Sequence, residues 1–179
     1  MPDIIEFPPK FTVVSADLSY RRPGFAKFSF AEKKITDLST GFVDNKNAKK
    51  KTSGDILNEI SDFMLGFFPK QEPLFFVRER ALDKYAASQR QAVTLEQIFK
   101  VVGLTDAFLW RKYQKEFYEI HPKTVKKLVT GNALAEKDVV ASALERWVGP
   151  REYAVDDESD AVAIGVAFLI QNGLIESGS

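Results

Sequence analysis

Hydrophobic and polar positions change period several times along this chain, and each change marks an expected element. After a proline-rich lead-in at residues 1–11, residues 12–16 (TVVSA) form a β-branched run that predicts a strand and places Asp17 at its end. LSYRRPG supplies a turn, residues 25–30 (FAKFSF) alternate as a second strand, and residues 35–43 predict a third. Connections this short cannot carry parallel crossovers, so the three strands should form an antiparallel meander. The polar, lysine-rich residues 44–53 (DNKNAKKKTS) read as a solvated loop. Ile56, Leu57, Ile60, Phe63, Met64 and Phe67 have helical spacing, and Pro69 stops that helix. Residues 74–77 (LFFV) then predict a buried strand leading into Arg78, Glu79 and Arg80. Strand, helix, strand makes a crossover, so this strand should run parallel to an earlier one and bring Glu79 close to Asp17.

Ala92, Leu95, Ile98, Phe99 and Val102 belong to a helix expected over residues 86–109, with Gly103 as a break or cap. Residues 117–120 (FYEI) predict a further strand, ended by His121 and Pro122. Residues 124–129 predict a helical turn interrupted at Gly131, and residues 136–147 an amphipathic helix. After a linker at 149–155, the stretch VDDESDAVAIGVAFLI (155–170) runs from an acidic knot directly into apolar residues. A buried helix with carboxylates at its mouth is implied. Asp157 and Asp160, three apart, share one side of its first turn. Taken alone, such acids read as caps that complement the helix dipole, and Asp17 alone reads equally as a turn cap.

Composition narrows the chemistry. With 179 residues, 45% of them hydrophobic, the chain is expected to form a single domain over residues 1–179. The absence of cysteine excludes disulfides and thiolate metal sites, and one histidine excludes a histidine-rich centre. Any metal must be held by oxygen, which favours Mg²⁺, with Mn²⁺ as an alternative. A formal net charge of zero argues against coating nucleic acid through bulk positive charge. Positive charge is nevertheless clustered locally, at Lys46, Lys49, Lys50 and Lys51 and again at Lys123, Lys126 and Lys127. No apolar run reaches the roughly 18 residues of a membrane span, and MPDIIEFPPK lacks the order of a secretory signal. A soluble, cytoplasmic protein with no membrane partner is expected.

Asp17, Glu79, Asp157 and Asp160 therefore stand at two strand ends and one helix start. If they converge, their mutual repulsion of several kcal/mol demands compensating cations. Two divalent ions about 3.5–4 Å apart would suit phosphodiester hydrolysis. The order of elements and acids resembles the ribonuclease H-like fold, and within it the RuvC family of Holliday junction resolvases. The matching segments are VVSADLS around Asp17, FFVRERAL around Glu79, TVKKLVTGNALAEKDVV at 124–140 and DDESDAVAIGVAF around Asp157 and Asp160.

The resemblance implies an α/β ribonuclease H-like fold, a five-stranded mixed sheet flanked by helices. It implies the four acids as metal ligands for two Mg²⁺ ions per active site, and Lys126 and Lys137 as groups that meet DNA phosphates. Lys123, Lys127 and Arg80 join them as DNA-binding candidates, while Asp156 and Glu158 are expected to be solvated or to support the ligands. The activity implied is nicking of four-way junctions and other branched DNA to leave 5′-phosphate ends. Two symmetric nicks imply a homodimer, with Phe99, Phe108 and Trp110 as the candidate interface. Leu82 stands where bacterial resolvases carry an aromatic, and DLS replaces a glycine-containing turn. Together with the lysine loop, this looks more like phage-encoded relatives, which would act in the host cytoplasm. The competing readings are a nuclease acting on RNA–DNA hybrids and a branched-DNA-binding scaffold without catalysis.

Overall fold

The computed structural model describes residues 6–45, 50–70, 74–80 and 89–177. Five strands form one mixed sheet: β1 (Lys10–Asp17), β2 (Gly24–Ala31), β3 (Lys34–Phe42), β4 (Leu74–Glu79) and β5 (Tyr118–Ile120), in the spatial order β3-β2-β1-β4-β5. The first three strands are antiparallel, and β4 lies parallel to both β1 and β5. The expected meander is present, and α1 (Ser53–Phe67) makes the crossover from β3 to β4.

Strand alternation assigns the two faces of the sheet. Val14, Ala16, Leu74 and Phe76 pack with Ile56, Ile60 and Met64 of α1 and with Ile98, Val101 and Leu109 of α2 (Gln89–Tyr113). Val13, Phe28, Val77 and Ile120 belong to the opposite cluster, beneath Val125 and Val129 of α3 (Pro122–Thr130), Val140 of α4 (Lys137–Ala143) and α6 (Asp156–Gln171). From Ala161 to Ile170 every residue of α6 is buried. The helix sits low on the sheet, because Ser15 Oγ donates a 2.6 Å hydrogen bond to the Ala161 carbonyl. A Cβ on Gly165 would come within 2.7 Å of the Phe28 ring. With each buried large apolar side chain contributing about 1.5–3 kcal/mol, the length of α6 from Ala161 onward is anchored in the core, and it carries the partly exposed carboxylates at its mouth.

Three expected boundaries differ. β1 begins at Lys10, inside the expected lead-in, because Phe11 is buried in the cluster beneath α6. Gly103 does not break α2, which continues to Tyr113, since one glycine costs a helix only about 1 kcal/mol and the packing of Val101 and Leu109 outweighs it. The helix expected over 136–147 is divided at the buried Leu144 into α4 and α5 (Glu145–Val148), with the Leu144 N–H shared between the Val140 and Ala141 carbonyls at 3.3 Å each. Lys46, Lys49, Leu82 and the expected first turn of α2 lie outside the described residues. Among those described, no helix is long and apolar enough to cross a membrane.

Candidate active site

The parallel register pairs Ala16 of β1 with Arg78 of β4, so the residues that follow, Asp17 and Glu79, end the two strands side by side. Val13 and Val77, an even number of positions earlier, belong to the cluster beneath α6, and alternation turns both acids to that same face. There α6 supplies Asp160, α3 supplies Lys126 and α4 supplies Lys137. These five side chains, with Pro122, Val125, Val140 and Ala163, line one cavity of about 320 Å³. It opens at the carboxyl ends of the strands, where open α/β sheets place their ligand sites. A larger cleft of about 790 Å³ lies on the opposite face, between α2 and β5. Its polar groups are largely engaged with one another: Arg78, only 8% exposed, donates to Asp106 at 2.6 Å and to Glu119 at 2.8 Å. The smaller cavity is therefore the candidate site.

Cations of this chain already address the acids. Lys137 Nζ donates to Asp160 Oδ2 at 2.8 Å and lies 4.0 Å from Asp156. Partial burial alone would lower the Lys137 pKa. The Asp160 hydrogen bond and charge, joined by the charges of Asp17 and Asp156, outweigh that effect and raise it above the ordinary lysine value. Arg22 Nε donates to Asp157 Oδ2 at 2.9 Å. Among the described residues, no three Asp, Glu or His side chains gather into a ready-made metal shell. The donors nevertheless fit a hard divalent ion, since they are carboxylates around one cavity with an ammonium seated against them, a position that favours positive charge.

The structure thus brings together Asp17, Glu79, Asp160, Lys126 and Lys137. Asp157, expected to join them, does not line the cavity: its backbone lies against Gly24 and its carboxylate accepts from Arg22. The N-cap of α6 is Val155, with no side-chain hydrogen bond, so neither Asp157 nor Asp160 is spent as its cap. Glu158 is buried, not solvated, and accepts from the Ala154 N–H at 2.8 Å, which closes the preceding linker. Lys126 Nζ donates to the Ala135 carbonyl at 2.6 Å and ties α3 to the connection before α4. Lys123 and Lys127 are exposed on α3 and do not line the cavity. Arg80 is on the opposite side, in the larger cleft and 3.8 Å from Glu119. Sequence reasoning missed Arg22 and Gly24, both inside a segment that reads only as a turn.

No family model matches the chain. It is 26% identical over 161 residues to the crossover junction endodeoxyribonuclease RuvC of Brachyspira hyodysenteriae, covering 84% of this chain and 91% of that protein. Thermus thermophilus RuvC in complex with a Holliday junction substrate matches with a TM-score of 0.72 at 17% identity, over 93% of this chain and 99% of that one. The yeast mitochondrial Holliday junction resolvase matches with a TM-score of 0.59 at 14% identity, over 96% of this chain and 82% of the other. The structural matches establish a ribonuclease H-like fold with the expected five-stranded mixed sheet.

Proposed function

We propose that this chain, which belongs to the RuvC family of Holliday junction resolvases, is a crossover junction endodeoxyribonuclease that nicks four-way and other branched DNA with divalent metal ions. The observation that carries this reading is the cavity at the ends of β1 and β4, where three carboxylates meet two lysines. Asp17, Glu79 and Asp160 would hold Mg²⁺ or Mn²⁺, with Asp157 completing the set. A bound pair of such ions would activate the attacking water and stabilise the leaving oxygen.

The remaining work falls to the chain itself. Lys126 and Lys137 offset the repulsion that carboxylates exert on a phosphodiester. The positive end of the α6 dipole adds to this, since the helix begins at Asp156, about one turn before the cavity-lining Asp160. Val125, Val140 and Ala163 wall the site with apolar surface, which strengthens each charge interaction within it. Lys123 and Lys127 extend the positive surface along α3 for the DNA backbone. Two symmetric nicks require a homodimer, and Phe99 and Trp110 of α2, 47% and 54% exposed, give it an apolar face. Phe108 packs edge-on against Phe68 inside the monomer and is left out of that face. We place the activity in the cytoplasm.

A second reading, a branched-DNA-binding scaffold, is favoured by one observation: Asp160 and Asp157 are engaged by Lys137 and Arg22, and among the described residues no three acids gather into a metal shell. Purified protein given a synthetic four-way junction separates the two. Mg²⁺-dependent nicks that disappear in Glu79→Gln, and are absent on the matched linear duplex and on an RNA–DNA hybrid, are the expected result. Junction binding with no metal-dependent cleavage would overturn the nuclease reading, and preferential cutting of the hybrid would overturn its substrate.

A further inference from the structure

Arg22 lies in the connection between β1 and β2, five residues after Asp17, and its backbone is held in place. Its N–H donates to Ser19 Oγ at 3.0 Å, the Arg21 carbonyl accepts from Asn45 at 2.9 Å, and the Pro23 carbonyl accepts from Val43 at 3.1 Å. The next residue but one, Gly24, abuts the Asp157 backbone, so this connection is seated against the mouth of α6. From that fixed base the Arg22 side chain reaches Asp157 through Nε alone. Among the described residues, its terminal nitrogens do not complete the two-pronged fork that makes arginine–carboxylate pairs strong. The Arg22 side chain is 40% exposed, whereas that of Asp157 is 16% exposed. The pair is therefore single-pronged, with the arginine on the solvent side and the acid on the inner side.

Resting on the reading of Asp157 as a metal ligand, we propose that Arg22 is a built-in rival of the metal. It neutralises Asp157 until a divalent ion displaces it, and so sets the ion concentration at which the site fills. A guanidinium and a divalent ion on one carboxylate would stand a few Å apart with like charge, so each weakens the other's hold. Single-pronged contact and solvent exposure let the arginine leave without disturbing the hairpin, because the backbone bonds that hold the turn do not involve its side chain. Lys137 stands in the same relation to Asp160, but it also lines the cavity and is assigned to the phosphate. Arg22 does not line the cavity, and so can be altered without removing a phosphate contact.

The test is calorimetric titration of Mn²⁺ into the full chain, without DNA, comparing wild type with Arg22→Gln, Arg22→Lys, Asp157→Asn and the Arg22→Gln/Asp157→Asn double variant. Removing an exposed rival cation should tighten binding in Arg22→Gln by about fivefold, the scale of a partly exposed ion pair. Arg22→Lys, which keeps the charge, should stay near wild type. Asp157→Asn should weaken binding, and the double variant should bind no more tightly than Asp157→Asn. If Arg22→Gln binds Mn²⁺ no more tightly than wild type while Asp157→Asn weakens it, the rival role is wrong and the nuclease reading stands. If Asp157→Asn binds as wild type does, Asp157 is not a ligand and the ligand set of the proposed function fails with it.

Discussion

Gly24→Ala offers a stringent check on how the site is assembled. An alanine Cβ at this position would overlap the Asp157 carbonyl group and lie 2.9 Å from the Asp157 Cβ. Carbon–carbon contacts settle at about 3.5–4 Å, so the hairpin and α6 must part by roughly 1 Å or more. The obstacle is backbone, and it belongs to a helix buried along most of its length, so it cannot swing aside as a side-chain tip would. Overpacking of this kind costs about 1–3 kcal/mol of stability. A displacement of about 1 Å at a catalytic group costs on the order of a hundredfold in rate. Single-turnover nicking of a four-way junction should therefore fall about a hundredfold in Gly24→Ala, beyond what its loss of stability explains at a temperature where it remains folded. Gly103→Ala is the control: it meets nothing within 4 Å, and should gain up to about 1 kcal/mol with no change in rate. Wild-type stability and nicking in Gly24→Ala would refute the seating of α6 on the hairpin.

Arg78→Met should destabilise the fold by about 1–3 kcal/mol in urea unfolding, less than the 3–5 kcal/mol of a fully buried pair. The reason is that its partners Asp106 and Glu119, 47% and 35% exposed, can rehydrate once the guanidinium is gone, and a loss under about 0.5 kcal/mol would count against the network. Lys137 gives a pH signature. Its pKa is raised in the folded chain, so its contribution is fully present below the unfolded lysine value of about 10.4 and is lost as pH rises through the folded one. The stability difference between wild type and Lys137→Met, measured without divalent ions, should be constant from neutral pH to about pH 10 and shrink above it. A difference that grows with alkalinity would contradict the assignment.

Periodicity revealed a good deal of this fold because period-two runs state which side of a strand is buried. Val13 and Val77 share a face with Asp17 and Glu79, so two of the acids were legible as neighbours once β4 was read as parallel to β1. The apolar run from Ala161 likewise announced a buried helix. Contacts between distant segments leave no such local trace. Arg22 and Asp157 are 135 positions apart, and nothing in RRPG states that a helix mouth will rest on its glycine. Arg78 and Glu119 are 41 apart and meet only because β4 and β5 pair. Glu158 read as either solvated or supporting the ligands, because the peptide N–H that satisfies it belongs to a linker with no periodicity. Gly103 misled in the opposite direction, since a local propensity yielded to tertiary packing.

In the proposed function, carboxylates from two strand ends and one helix form a seat for hard cations. Anomalous scattering from Mn²⁺-soaked crystals tests it most directly. Density should appear in the cavity bounded by Asp17, Glu79 and Asp160, within coordination distance of their oxygens, with the Lys137 ammonium moved off Asp160. A cavity without anomalous density at saturating Mn²⁺, with Lys137 still bonded to Asp160, would contradict it.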